Sequence, residues 1–241
     1  MRVNPVFRSD LRHRLTSRKS AAMITVYLAV LGALAFLSLP PDLGRLDDLR
    51  QESLLLAFII VETVLAAYLT SATASGEIVV EGEKTMWDLA ASPFPPGVIG
   101  RGKILTGATF ALLLMGLGTP FLAIVSGIRG EPLHALARAA GVALPFAAAL
   151  GALGALYAGV FESDFTRSFV HWLTLLVFVV GATALPAPWD TLSPVRLVML
   201  AVRDGWGLRV FLGAVLYAAL AAAAGLGISR RVDAIRGTAQ E

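Results

Sequence analysis

Six long apolar runs constrain this chain more than any other feature of its sequence. An α-helix needs about 17 to 25 apolar residues to cross a bilayer, and runs of that length cover residues 21–39, 53–75, 104–128, 139–161, 169–185 and 208–228. The chain is 56% hydrophobic and 15% charged, whereas a soluble domain is about 25% charged. We therefore predict an all-α polytopic membrane protein, a single transmembrane domain (1–241) with six transmembrane helices. The gaps between the runs leave no room for a soluble catalytic or nucleotide-binding domain.

The distribution of basic residues predicts the orientation. Cytoplasmic loops retain Lys and Arg, and a cytosolic N-terminus puts most of these residues in the cytosol, including Arg236 in the tail 229–241. Both termini are therefore predicted to be cytosolic, in the inner (cytoplasmic) membrane of the cell. The net charge of +3 agrees with basicity at a membrane surface, whereas nucleic-acid binding would need a continuous basic face. No cysteine is present and the three histidines are scattered, so neither disulfides nor a metal site is predicted.

The first 20 residues have the pattern of a basic amphipathic helix. Asn4 and Pro5 suit an N-cap and a first helical position, and Phe7, Leu11 and Leu15 recur every four residues between basic ones. Such a helix lies in the membrane interface, with its apolar face in the acyl boundary and its cations at the headgroups. It serves either as a topology anchor or as a contact for a cytosolic partner.

Glu62 lies near the middle of the second apolar run. An ionisable side chain there costs about 2.5–3.5 kcal/mol on insertion scales and must face other helices or water. Two interpretations stay open. Glu62 either lies on a transport pathway or, as a protonated or hydrogen-bonded group, joins neighbouring helices.

Small residues and proline predict two further features. Gly151, Ala155 and Gly159 recur every four residues in the fourth run, which lets two helices approach closely. Ser193 and Pro194 suit the N-cap and first residue of a short helix, 194–202. That helix is too short to cross the membrane, so it should lie on the outer surface or re-enter the membrane.

The segment 76–103 is the longest predicted cytosolic loop. Acidic residues surround Met86 and Trp87, which predicts a short helix that exposes both side chains. Prolines from Pro93 onwards end this helix, because proline lacks the backbone donor and clashes with the preceding turn, and they form a rigid elbow into the third span. The helix could receive force from a cytosolic machine. Alternatively it lies passively at the interface, since Trp favours the headgroup zone.

The same segment ends in a sequence, PGVIGRGKIL, that partly matches the spacing of a phosphate-binding loop. That loop needs Ser or Thr after its lysine and a buried strand before it. Here Ile104 follows Lys103, and the preceding EGEKTMWDLAASPFPP has no strand pattern. The residues argue against a nucleotide site in this chain.

These features together resemble the permease subunits of the ABC type-2 transporter family. In that family the loop after the second span commonly reads Glu-Arg-Glu-x-Gly-Thr, then an acid and leucines, then Ser/Thr-Pro, and ends in Gly-Lys. The opening NPVFRSDLRHR is also similar to the Asn-Pro-Val start of the family. The loop acids lie one residue closer to the threonine than is usual, and Lys84 replaces the customary glycine. The matching loop positions are Glu81, Glu83, Thr85, Asp88, Leu89, Ser92, Pro93, Gly102 and Lys103.

The resemblance implies a coupling helix between spans two and three that docks on a separate ATP-binding cassette subunit. ATP and Mg would then be bound by that partner, with no cofactor on this chain. It also implies an exporter in which two permease subunits, identical or different, form the substrate path at their interface, with helix 194–202 at its exit. Lys103 would reach towards the headgroups. The implied contacts to the ATPase are Glu81, Glu83, Thr85, Met86, Trp87, Asp88 and Leu89, and the implied elbow residues are Ser92, Pro93, Gly102 and Lys103.

Two other classes of function fit these residues less well. A secondary transporter or channel that uses Glu62 as a proton or ion site would need further intramembrane charges or broken helices. An intramembrane enzyme would need a metal-binding histidine pair, a nucleophile elbow or paired acids within a span, and none is evident in the sequence.

Overall fold

The computed structural model describes residues 4–38, 52–76, 85–129 and 133–238, and within these ranges the chain is helical with no strand. Six of the described helices are long and apolar enough to cross a membrane. This confirms the predicted all-α fold for the described residues and the predicted number of helices that could cross a membrane. The helices are α1 (Pro5–Thr16), α2 (Arg18–Ser38), α3 (Glu52–Ser75), α4 (Met86–Ala90), α5 (Pro96–Arg129), α6 (Leu133–Val160), α7 (Asp164–Leu176), α8 (Pro194–Arg203) and α9 (Leu208–Thr238).

Two of the spanning helices extend well beyond their apolar runs. Helix α5 begins at Pro96 rather than at the predicted residue 104, and proline suits the first helical position. Helix α9 continues to Thr238, through most of the predicted tail. Both helices therefore project from the apolar part of the bundle at the same end as α4.

Helix α6 lies at the centre of the bundle and packs against α3, α5, α8 and α9. About 67% of the apolar segment of α6 is buried, against 22% for α2. The value is 17% for the α7 span, Asp164–Ala184, which continues beyond α7 as a π-helical turn (Val177–Gly181) and a 3-10 turn (Ala182–Ala184).

Of the predicted small residues, Gly151 lies at a close approach to α3: a Cβ added there would lie 2.8 Å from Thr70 Cγ2, whereas one added to Gly159 would meet Met86 of α4. Gly154, which was not part of the predicted pattern, makes a second close approach to α3, since a Cβ there would lie 2.6 Å from the Ser71 carbonyl oxygen. Glycine at 151 and 154 thus brings α3 and α6 together.

The predicted short helix between the last two spans is α8. The Ser193 hydroxyl accepts a hydrogen bond from the Arg196 amide (3.4 Å), and Leu197 and Val198 are fully buried. Leu197 packs on Gly213, near the start of α9, whereas the residues that meet α4 lie about 20 residues further along α9. At 1.5 Å per residue this is about 30 Å, so α8 and α4 lie at opposite ends of the bundle.

Candidate coupling surface and membrane cavity

Helix α4 begins with a capping box formed by Thr85 and Asp88. The Thr85 hydroxyl accepts from the Asp88 amide (3.3 Å), and Asp88 Oδ2 accepts from the Thr85 amide (3.0 Å). This reciprocal pair satisfies backbone donors that a helix start leaves without partners. Two residues of the loop motif therefore have a structural role in starting the helix.

The two faces of α4 differ sharply in burial. Met86 is 6% exposed and Leu89 is 2% exposed, whereas Trp87 is 60% exposed. The predicted exposure of Met86 is wrong, because Met86, Leu89 and Ala90 have helical i, i+3, i+4 spacing and share the face that packs on the bundle. Of the predicted contact residues in the described chain, Thr85, Trp87 and Asp88 are exposed. Glu81 and Glu83 lie outside the described residues.

The buried face of α4 belongs to a small apolar cluster drawn from four other helices. The side chain of Met86 also lies close to Gly159 at the end of α6. A five-residue helix has too few hydrogen bonds to persist alone, so this cluster holds α4 in place. Besides Met86, Leu89 and Ala90, the cluster contains Val6 of α1, Ile99 of α5, Ala155 of α6, and Ile228, Val232 and Ile235 of α9.

Arg236, on the extension of α9, holds the other end of α4. Its Nε donates to the Ala90 carbonyl (2.8 Å), and its Nη2 donates to the carbonyls of Ser92 and Phe94 (both 2.7 Å). The last carbonyls of a helix lack partners within it, and a cation is favourable there. From the sequence, Arg236 was predicted only to be a cytosolic charge, because these partners lie more than 140 residues away along the chain.

The predicted elbow is shorter than expected. Ser92 and Pro93 lie in the turn between α4 and α5, where the Ser92 hydroxyl donates to the Leu89 carbonyl (2.6 Å). Gly102 and Lys103 lie inside α5 instead. Their assignment to the elbow is wrong, because α5 begins directly at Pro96.

Gly102 allows the start of α1 to pack closely against α5. A Cβ at Gly102 would lie 2.8 Å from Val6 Cβ and 3.0 Å from Asn4 Oδ1. The predicted N-cap role of Asn4 in α1 is confirmed, because its Oδ1 accepts a hydrogen bond from the Val6 amide (3.0 Å). Its Nδ2 donates to the Val98 carbonyl of α5 (2.8 Å). One asparagine thus starts α1 and ties it to α5.

A buried ion pair fastens α1 to α5 one turn further on. Lys103 Nζ lies 2.8 Å from Asp10 Oδ2, with the two side chains 9% and 1% exposed. Lys103 was predicted to reach the headgroups, and this is wrong because α1 covers it. Charges buried this deeply are tolerated only when they are paired.

Arg14 makes a second buried polar contact from the same face of α1. Its Nη1 donates to Thr73 Oγ1 of α3 (2.9 Å), and its guanidinium lies 5.5 Å from the centroid of the Phe110 ring, a cation–π geometry. Arg14 is 1% exposed, whereas Leu15 is 50% exposed. The face of α1 that packs on the bundle is therefore largely polar, and the apolar face points away from it.

Glu62 borders a cavity of about 330 Å³ between α3, α5 and α6. The side chain is 5% exposed. The Tyr27 hydroxyl lies within donating distance of Glu62 Oε1 (3.4 Å) and of the Leu114 carbonyl (3.0 Å). A Cβ on Gly118 would overlap the carboxyl group, so glycine at that position makes room for it.

Comparisons with known proteins do not assign a function. No model of a known protein family matches the chain, and no curated protein matches it. Within the described residues there is no group of three or more His, Asp or Glu placed to hold a metal ion. A function must therefore be inferred from the residues themselves.

Proposed function

We propose that this chain is the permease subunit of a type-2 ABC transporter, an exporter driven by ATP that a separate ATP-binding cassette subunit hydrolyses. One observation carries the proposal. A short helix presents an exposed tryptophan at one end of the bundle, and the same helix is fixed underneath to four other helices. An element that is both exposed and braced is suited to receive force from a partner.

The docking surface of the proposal consists of Thr85, Trp87 and Asp88. Tryptophan is enriched among the residues that contribute most to protein–protein binding, and Trp87 is 60% exposed. The alternative is a helix that rests passively among headgroups. A passive helix has no need of three carbonyls held by Arg236, which favours docking.

The contacts of α4 give a route by which its displacement would reach the membrane spans. Its apolar face is shared with α1, α5, α6 and α9, and Arg236 joins its C-terminal end to α9. Close-packed elements shift as units rather than deform continuously. ATP binding by the partner would then favour one of two arrangements of the permeases.

A second permease subunit, identical or different, would complete the transporter. The spans with the least burial are α7 (17%) and α2 (22%), and Phe165 and Phe169 of α7 are 80% and 57% exposed. We propose that these spans face the second permease across the substrate path, where lipid would otherwise cover them. The short helix α8 would line the exit of that path.

A second candidate function is a secondary transporter or channel that uses Glu62. The buried carboxyl beside a cavity favours it. This alternative needs no ATPase, so a transport assay driven by an ion gradient alone distinguishes it from the first proposal.

The test is co-expression with candidate ATP-binding subunits. We expect one such subunit to co-purify with this chain, and ATP hydrolysis to be found in the complex and not in the purified chain. The proposal is contradicted if the purified chain hydrolyses ATP. It is equally contradicted if an ion gradient alone, without any ATPase, drives solute transport by the chain.

A further inference from the structure

We infer that the cavity beside Glu62 binds an amphipathic organic monocation, an ammonium ion that carries apolar groups, at membrane depth. That such a cation is also the transported substrate rests on the proposed function. Its binding does not, because the cavity belongs to this chain alone.

The cavity has the size and lining of a small-molecule site. Its volume of about 330 Å³ falls within the range of about 300–1,000 Å³ that is usual for ligand pockets. Three helices contribute to it, and most of the side chains on its walls are aliphatic or thioether groups. The lining residues that matter here are Ile59, Met115, Leu122 and Leu136 for the apolar wall, Ala140 at its exposed edge, and Glu62 at its base.

The charge of the cavity selects a cation. Glu62 is the acidic residue of the lining, and no Lys, Arg or His of the described chain lines it. A carboxylate in apolar surroundings is costly unless a counter-charge or a proton accompanies it. The Tyr27 hydroxyl approaches Oε1, which helps to orient the carboxyl group but brings no positive charge. A cation in the cavity would supply the missing counter-charge.

The chemistry of the walls selects an organic cation over a metal ion or a bare proton. Hard metal ions require six or more oxygen ligands. Among the described residues of the lining, only Thr63 and Thr119 carry hydroxyl groups, and these donate to the Ile59 and Met115 carbonyls of their own helices. A proton would need no space of this size. Apolar walls around one acid instead match an ammonium ion with apolar substituents.

The test is direct binding of radiolabelled benzyltrimethylammonium to the 241-residue chain in lipid nanodiscs. Neopentylbenzene, which has carbon in place of the charged nitrogen, serves as the neutral competitor. Glu62→Gln removes the charge while keeping the shape of the side chain and its acceptor for Tyr27. Ala140→Phe fills the edge of the cavity and leaves the charge intact. Glu162→Gln makes the same chemical change at an exposed position outside the cavity and serves as the control.

We expect saturable binding to the unmodified chain and an affinity at least about tenfold lower in Glu62→Gln. In that variant the bound cation has no carboxylate to pair with, and the loss of one partner of a buried charge pair typically weakens binding by more than about tenfold. Ala140→Phe should also weaken binding, Glu162→Gln should not, and neopentylbenzene should compete poorly. The inference is overturned by an absence of saturable binding, by equal competition from neopentylbenzene, or by unchanged affinity in Glu62→Gln. If Glu62→Gln does not fold, Ala140→Phe and the neutral competitor still decide the outcome. Failure of an ATPase to co-purify would count against the proposed function alone.

Discussion

Replacing Trp87 with aspartate should release the ATP-binding subunit from this chain while the membrane domain stays folded. Trp87 is 60% exposed on a helix whose opposite face is buried, so the change removes a contact without opening the core. Loss of a central tryptophan from an interface typically costs at least 2 kcal/mol, which corresponds to about 30-fold weaker binding. The measurements are the affinity of the two purified subunits and the thermal unfolding of the variant chain.

The matched control for this variant is Trp189→Asp. Trp189 is 62% exposed and lies beside α8, at the end of the bundle opposite α4. Docking through α4 is ruled out if Trp87→Asp keeps full affinity, or if both variants lose it equally. Met86→Asp would be a poor test, because Met86 is 6% exposed and a charge there would unfold the apolar cluster instead.

Removing one partner of the Asp10–Lys103 pair should destabilise the chain strongly. The two groups are 2.8 Å apart and almost fully buried, so Asp10→Asn takes a counter-charge away from the Lys103 ammonium, and Lys103→Met takes one away from the Asp10 carboxylate. Breaking a buried pair from one side typically costs about 3–5 kcal/mol. The double variant Asp10→Asn/Lys103→Met should recover most of this loss, because it removes both charges of the pair together. The free energy of unfolding of the three variants measures the effect.

Asp164→Asn provides the control for the ion pair. Asp164 pairs with Arg167 at 3.1 Å, but its side chain is 94% exposed, and exposed pairs contribute about 1 kcal/mol or less. A loss in Asp10→Asn no larger than in Asp164→Asn would show that the contact between α1 and α5 does not depend on this pair. A double variant as unstable as the sum of the single variants would show the same.

The sequence predicts the membrane spans well and the ends of the helices poorly. Hydropathy predicted the six helices of the described chain that are long and apolar enough to cross a membrane, because a bilayer imposes a minimum apolar length on each. It does not report where a helix continues outside the apolar layer. Helix α5 therefore starts at Pro96 rather than at residue 104, and α9 continues through a segment predicted to be a tail.

In the candidate site, too, contacts between residues close in sequence were predictable, whereas contacts between distant residues were not. Thr85, Asp88 and the exposed Trp87 were predictable, because a capping box and helical spacing act within a few residues. The contacts made by Arg236 and by Asp10 join residues more than 90 positions apart, and no local pattern specifies such pairings. On α1, Phe7, Leu11 and Leu15 recur every four residues and mark the apolar face, but the face that packs on the bundle is the one with Val6, Asp10 and Arg14.

The absence of cysteine from the chain permits the most direct measurement of the central claim, which is that a separate ATP-binding subunit contacts the exposed face of α4. A single cysteine at Ala91 (Ala91→Cys), which is exposed one helical turn after Trp87 and leaves that tryptophan in place, would carry a benzophenone maleimide, and the complex would be irradiated with Trp189→Cys as the control. We expect a covalent product between this chain and the ATP-binding subunit from position 91, and none from position 189. Equal yields from both positions, or labelling of position 91 only from outside the cell, would contradict the claim.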